Sequence, residues 1–323
     1  MSGLLAGIDI GGTKCTVSLG REDGASVVIL ARSRFSTPAT PDAALDQLIA
    51  ALKALLTEQS APLELIGISC GGPLDSRRGL VLSPPNLPSW VNIPVAQTFQ
   101  EAFAVPASLQ NDANAGALAE WLWGAGRGFH NVVFLTFGTG MGAGLILDGR
   151  LYSGTNDMAG EVGHIRLSDN GPIGFGKAGS FEGWCSGGGI QRLATAMALD
   201  AIRAGRSPSF CPTEADAPQI TAEKVALSDD PLAHEIFTIV GRRLGLGLAI
   251  LIDVLNPQRI LIGSIYGRQR ARLDETMWAV LREEALSYSL RVCEIMPCGL
   301  GESIGDYAAL AVAQYGAMPV SLG

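Results

Sequence analysis

The chain has 323 residues, of which 47% are hydrophobic and 17% charged, with 41 glycines and 17 prolines. That composition excludes a disordered chain, and the length fits one large or two moderate domains able to bury a core and form a cleft. Lys and Arg total 23 against 31 Asp and Glu, a formal net charge of −8, the wrong sign for gripping phosphate backbones, so no nucleic-acid partner is expected.

Cys15, Cys70, Cys185, Cys211, Cys293 and Cys298 stand singly, with no C-x-x-C pair. A secreted disulfide framework looks different, and a reducing, cytoplasmic location is expected. The first ten residues lack a basic start and a long apolar run. Residues 244–255 are the most apolar segment, but they are short and follow Arg242 and Arg243, which reads as a buried helix, with no membrane partner.

In chain order, residues 4–10 and 14–19 are two β-type runs joined by glycines, a hairpin pattern, and a third run, 26–31, follows the turn-like Glu22-Asp23-Gly24. Residues 41–58 carry apolar positions at helical spacing behind a Pro-Asp start. A buried strand at 65–70 ends in Gly71-Gly72-Pro73, and another at 105–109 runs into Asn111-Asp112-Ala113-Asn114 and an Ala-rich helix to about Trp123. A second cycle then begins: strand 132–137, a glycine hairpin from Gly138 to Gly144, and a return strand 145–147. The two halves open alike, a weak repeat that points to duplicated α/β domains facing each other across a cleft. Residues 168–189 read as Gly-rich loop, helical patterns start near Ile220, 231–256 is a long buried helix feeding strand 259–262, and a final helix at 306–315 is placed to pack onto the first domain.

Both glycine turns offer backbone N–H groups unobstructed by Cβ, with Thr hydroxyls beside them. Asp9, Gly11, Gly12, Thr13 and Lys14 in the first, and Thr136, Gly138, Thr139 and Gly140 in the second, are candidate contacts for a nucleoside triphosphate. One such hairpin alone reads as a plain tight turn; two together point to phosphate. Neither matches the P-loop pattern or clearly opens a helix in a βαβ unit, so a Rossmann dehydrogenase is disfavoured.

Taken in order, Asp9 to Lys14, Ser69-Cys70-Gly71-Gly72-Pro73, Pro85-Asn86-Leu87 with Trp90, Asn111-Asp112-Ala113-Asn114, Phe137 to Gly144, Gly160-Glu161-Val162-Gly163-His164 and Cys185-Ser186-Gly187 resemble the ROK family of sugar kinases. The resemblance covers nearly the whole chain. It implies the actin-like ATPase (ribonuclease H-like) fold, two α/β domains flanking a cleft that close over ATP and a hexose. The expected division is 1–115 plus 306–323 for a small domain and 116–305 for a large one. Some members are repressors with an added N-terminal DNA-binding domain; with the first strand starting by residue 4, none is expected here. The resemblance also favours a homodimer.

Phosphoryl transfer to a sugar hydroxyl needs a carboxylate to take the proton, a metal to neutralise phosphate charge, and donors for the γ-phosphoryl group. In the resemblance Asp112 is the general base; taken alone, it reads more readily as a helix cap. Asp9 would hold Mg²⁺ through water, its plain alternative being a turn residue. Asn111, Glu161, His164 and Glu182 match the family's sugar contacts, with Gly72 and Asn86 beside them, and these are the side chains that exchange directional hydrogen bonds with hydroxyls. His164 by itself would read as a satisfied core histidine, and His130 and His234 are given no role. The expected reaction is ATP-dependent phosphorylation of a hexose, at the 6-hydroxyl of glucose or a close relative. The alternatives are an N-acetylhexosamine, fructose, allose or a disaccharide as acceptor, or a non-catalytic sugar-binding sensor; an actin-like ATPase with a protein client leaves Glu161 and His164 unexplained.

Two stretches depart from the family. Its C-x-C-G-x-x-G-C-x-E motif, whose three cysteines bind a structural zinc with the preceding His, is here Ile173-Gly174-Phe175-Gly176-Lys177-Ala178-Gly179-Ser180-Phe181-Glu182. Three of four zinc ligands are gone and Cys185 is alone, so no structural zinc is expected; packing by Ile173 and Phe175 is expected to brace the loop instead. The glycine cluster near the adenosine is here Ile262-Gly263-Ser264-Ile265-Tyr266-Gly267, in which Gly263 still permits close approach of the nucleoside, and ATP remains the expected donor.

Overall fold

The computed structural model describes residues 3–24 and 26–318; residues 1, 2, 25 and 319–323 of the expected domain ranges lie outside the described residues. In chain order the elements are β1 (Leu4–Ile10), β2 (Lys14–Asp23), β3 (Ser26–Ser36), α1 (Pro41–Leu56), β4 (Leu63–Cys70), β5 (Leu74–Asp75), β6 (Leu80–Val81), α2 (Val95–Phe103), β7 (Ala107–Asn111) and α3 (Asp112–Trp123). A second run follows: β8 (Val132–Phe137), β9 (Met141–Leu147), β10 (Arg150–Leu151), β11 (Ile173–Gly174), β12 (Lys177–Ala178), α4 (Phe181–Trp184), α5 (Gly187–Arg203), α6 (Ala222–Ala226) and α7 (Pro231–Leu255). The chain closes with β13 (Arg259–Ile262), α8 (Ile265–Glu284), α9 (Ser287–Leu290), β14 (Glu294–Pro297) and α10 (Ile304–Gly316).

Two five-stranded sheets organise these elements, in the orders β3-β2-β1-β4-β7 and β10-β9-β8-β13-β14. In each, the first three strands meander outward and the last two are added on the other side of the first, so the repeat read from the two glycine turns is a repeat of sheet topology. In the first sheet β1 runs antiparallel to β2 and parallel to β4, which runs parallel to β7. Registers Ile10↔Cys70 and Cys70↔Asn111 bring three strands to an end in one row. The segments that follow, Gly11-Gly12, Gly71-Gly72 and Asp112, therefore emerge together at the carboxyl edge, where open α/β sheets bind ligands.

Burial explains the strand composition. β1 is buried almost throughout, because one face meets Leu45, Leu48 and Leu52 of α1 while Leu5 and Val27 meet Leu310 and Ala313 of α10; each such leucine contributes about 2 kcal/mol. A Cβ on Gly67 would run into the backbone of α10 at Ala309 and Ala313, which is why a glycine sits mid-strand. Helix starts follow local chemistry: Thr40 caps α1 ahead of Pro41, and Asp230 caps α7 ahead of Pro231, its carboxylate accepting from the Leu232 N–H at 2.9 Å. The glycines inside α7 are contact points, since Gly241 and Gly245 lie against α8 and Gly247 against the Phe181 ring. No helix among the described residues is long and apolar enough to cross a membrane.

The chain divides into two compact units. The first takes the chain up to His130, then Gly144–Ala159 and the chain from Gly299 onward; the second takes Asn131–Ala143 and Gly160–Cys298. The expected boundary at 115/116 would cut through α3. That helix is buried from Ala113 to Glu120 and stays whole in the first unit. The approach to α10 starts at Gly299 rather than 306, because the Gly299 and Leu300 N–H groups donate to the Glu120 carboxylate at 3.0 and 2.8 Å.

Candidate active site

In the first unit, the turn after β1 is closed by the Gly11 N–H donating to the Lys14 carbonyl at 3.1 Å and by the Thr37 hydroxyl donating to the Gly11 carbonyl at 2.6 Å. Gly12 packs so tightly on the segment carrying Asn86 that a Cβ there would stand 2.5 Å from the Asn86 carbonyl oxygen, and Gly71 lies against the Asn86 side chain. Leu87 and Trp90, both buried, anchor that segment. Thus Gly11, Gly12, Gly72, Asn86, Asn111 and Asp112 come from separate stretches of sequence to one edge of the sheet, with Thr13 and Lys14 exposed at the turn.

Asn111 and Asp112 divide the work at the start of α3. The cap is Asn111, whose Oδ1 accepts from the Asn114 N–H at 2.9 Å, while Asp112 is the first helical residue. The Asp112 carboxyl reaches solvent, yet the chain packed around it strips much of its hydration. Burial therefore raises its pKa above the ordinary carboxylate value, and the Ala113 N–H, donating at 2.8 Å, pulls it part of the way back. Asp9, in β1, is raised from 3.8 to about 6, first by burial and then by the charge of Asp112, with Lys14 and Arg34 opposing. No motif in the sequence points to Arg34; strand register places it, since Asp9 faces Thr16 and Thr16 faces Arg34. Asp306 of α10 pairs with Arg32 at 2.9 Å and Arg34 at 3.5 Å.

In the second unit the β8–β9 turn is braced internally. The Gly142 N–H donates to the Thr136 hydroxyl at 2.8 Å and that hydroxyl approaches the Gly142 carbonyl at 3.3 Å, so Thr136 holds the hairpin's shape. Gly138 accepts from the Gly187 N–H at 2.7 Å, which joins the turn to the start of α5. Beside it opens a cavity of about 700 Å³, with Gly138, Thr139, Gly188, Thr221, Ser264 and Arg268 in its walls. Gly263 sits just behind, near Leu135 and Cys298. Gly140 faces Glu182, whose carboxylate accepts from the Met141 N–H at 3.2 Å.

Glu161 precedes and His164 ends a single 3₁₀ turn at Val162–His164, in which Gly163 packs on the Glu182 Cβ. Glu161, His164 and Glu182 are therefore neighbours around one glycine, and Glu182 also touches the hairpin. The loop after His164 corrects the expected bracing: Ile173 is 54% and Phe175 67% exposed, so they are not a packed plug. The Phe175 ring meets the His164 ring, edge to face at 5.1 Å. Polar ties do the bracing: Lys177 Nζ donates to the His164 carbonyl at 2.7 Å, the Leu167 N–H to the Gly179 carbonyl at 2.8 Å, and Trp184 Nε1 to the Ser168 hydroxyl at 2.9 Å. Among the described residues no three His, Cys, Asp or Glu side chains gather in a way that could hold a metal ion.

Comparison with known proteins gives this arrangement a family. The model of the ROK family matches residues 5–315. The chain belongs to the ROK family. A glucokinase of Streptomyces coelicolor is 30% identical over 272 residues, 81% of each chain. The ROK family glucokinase from Streptomyces griseus, solved with glucose and AMPPNP, superposes with a TM-score of 0.75 at 27% identity, over 97% of this chain and 99% of that one. A ROK family transcriptional regulator, a homologue of the E. coli MLC protein, superposes with a TM-score of 0.84 at 26% identity, over 98% of this chain and 78% of that one. The ROK fold here is the actin-like ATPase fold, and the glucokinase relationship over four-fifths of both chains makes this chain a carbohydrate kinase of the family.

Proposed function

We propose that this ROK kinase transfers the γ-phosphoryl group of ATP to the 6-hydroxyl of glucose or a close relative, with Asp112 as general base. The observation that carries the reading is the start of α3. Asn111 does the capping, so the Asp112 carboxyl, solvent-reached and raised in pKa, is available for proton transfer. Asp112 takes the proton of the sugar hydroxyl as its oxygen bonds to the γ-phosphorus, the bond from that phosphorus to the bridging oxygen breaks, and ADP leaves. Asn111, Glu161, His164 and Glu182 bind and orient the sugar hydroxyls, with Gly72 and Asn86 completing the edge. The cavity beside Gly138 takes the nucleotide, with Thr139 and Gly140 at its phosphates and Gly263 behind; Gly11, Gly12, Thr13 and Lys14 are the phosphate donors that the first unit's own turn offers.

Mg²⁺ fits the donor set. Asp9 and Asp112 are close enough for one charge to raise the pKa of the other, and Mg²⁺ is usually held by one or two carboxylates with waters and substrate phosphates. Asp9 would hold it, through water, and it would supply charge neutralisation on the β- and γ-phosphates.

The likeness to a transcriptional regulator favours a second reading, a sugar-binding sensor without turnover. ADP release with Mg-ATP, measured across hexoses, N-acetylhexosamines, fructose, allose and disaccharides beside Asp112→Asn, separates the two. The kinase reading expects one sugar to be turned over, with kcat falling about 10²–10⁴-fold in the variant while sugar affinity holds. Sugar binding without turnover in the wild type would establish the sensor.

A further inference from the structure

The wall of the 700 Å³ cavity contains one of the non-glycine residues with positive φ. Ser264, just before α8, has φ 52° and ψ −108°, a conformation that residues with a Cβ adopt only under constraint, and Gln269, one turn on, is non-helical within α8. Gly267, two residues earlier, gives the helix the local freedom for that kink. Between them stands Arg268, whose Nη2 donates to the Ser264 hydroxyl at 3.0 Å. That hydroxyl does not cap α8. A glycine would hold the same backbone without strain but offer Arg268 no anchor.

Location and charge define what the guanidinium is for. The Ser264 hydroxyl lies 3.8 Å from where a Cβ on Gly138 would stand, so Arg268 is tethered at the glycine-hairpin end of the cavity. The rest of the wall, with Thr221, Ala226, Leu227 and Phe237, is largely apolar and carries one carboxylate, Glu223. Among the described residues in the walls, Arg268 is the one cation. A planar guanidinium beside backbone N–H groups is suited to the oxygens of a polyphosphate, which it can grip with two donors at once.

We propose that Arg268, positioned by Ser264, binds the polyphosphate of the nucleotide donor and sets the preference for di- and triphosphates over monophosphates and nucleosides. The proposal rests on the reading of this cavity as the donor site. Calorimetric titration of the full chain with Mg-ADP, AMP and adenosine tests both separately. Arg268→Ala weakens ADP binding by about ten- to a hundredfold and adenosine binding by less than about threefold, with Arg268→Lys in between. The KM for ATP rises by a similar factor, and the loss falls on KM more than on kcat. Ser264→Gly weakens ADP binding by about threefold yet melts no lower than the wild type, a combination that a purely structural role for Ser264 does not produce. ADP affinity in Arg268→Ala within twofold of the wild type overturns the proposal and leaves the donor site standing, and so does an equal fall for adenosine. A wild type that binds none of the three nucleotides overturns both.

Discussion

Asp9 is held in a state its own ionisation opposes. Burial and the Asp112 charge raise it to about 6 from 3.8, so between those values the folded chain binds a proton that the unfolded chain has released. Stability then falls as pH rises from about 4 to about 6, and the full penalty, about 2–3 kcal/mol, persists above. Asp9→Asn removes the titrating group: in nucleotide-free urea melts at pH 7 the variant is expected to be the more stable, with the difference vanishing near pH 4. A wild type with no greater advantage at pH 4 than at pH 7 would contradict the account. Such a carboxylate is kept against stability where its charge is used. The sequence made Asp9 visible because it leads into a glycine turn and Asp112 because it follows an apolar strand, but not Arg34 or Asp306, which reach Asp9's surroundings through strand register and the return of α10.

The hairpin of β11 and β12 stands where the family carries zinc, and its turn is made by Phe175 and Gly176, with φ of 43° and 76°. Two consecutive positive φ values define the tight turn whose twist suits a hairpin, even though an aromatic residue is an unusual occupant. From sequence the region read as loop, since glycine every few residues hides two-residue strands and the four-residue α4; α5 was obscured for the same reason, opening with Gly187-Gly188-Gly189. Long elements with regular periodicity, such as α1 and α7, were legible to within a few residues. If the ties of Lys177 substitute for a metal, Lys177→Met should cost about 1 kcal/mol and raise the KM for the sugar several-fold, leaving ADP affinity unchanged. An unchanged sugar KM would show that the loop keeps its shape without them.

For the molecule as a whole, Glu120 is the charge that ties distant stretches of chain together. Fully buried in α3, it accepts from the N–H groups of Ala125, Gly299 and Leu300 at 2.8–3.0 Å, joining the exit from α3 to the point where the chain returns to the first unit. Glu120→Gln places an amide donor against at least one of those N–H groups and should lower the unfolding free energy by about 2–3 kcal/mol, measured by urea melts; a loss under about 0.5 kcal/mol would deny it this role. The interleaving that Glu120 secures was hidden in the sequence, where each strand and helix is visible but the order of assembly is not. α10 covers Gly7 and Gly67 on the first sheet, and among the described residues it is the last helix. On the ribosome, the strands that emerge first must therefore wait, with that face bare, until synthesis has passed through the whole of the second unit. During that interval the bare apolar face leaves the nascent chain prone to aggregate.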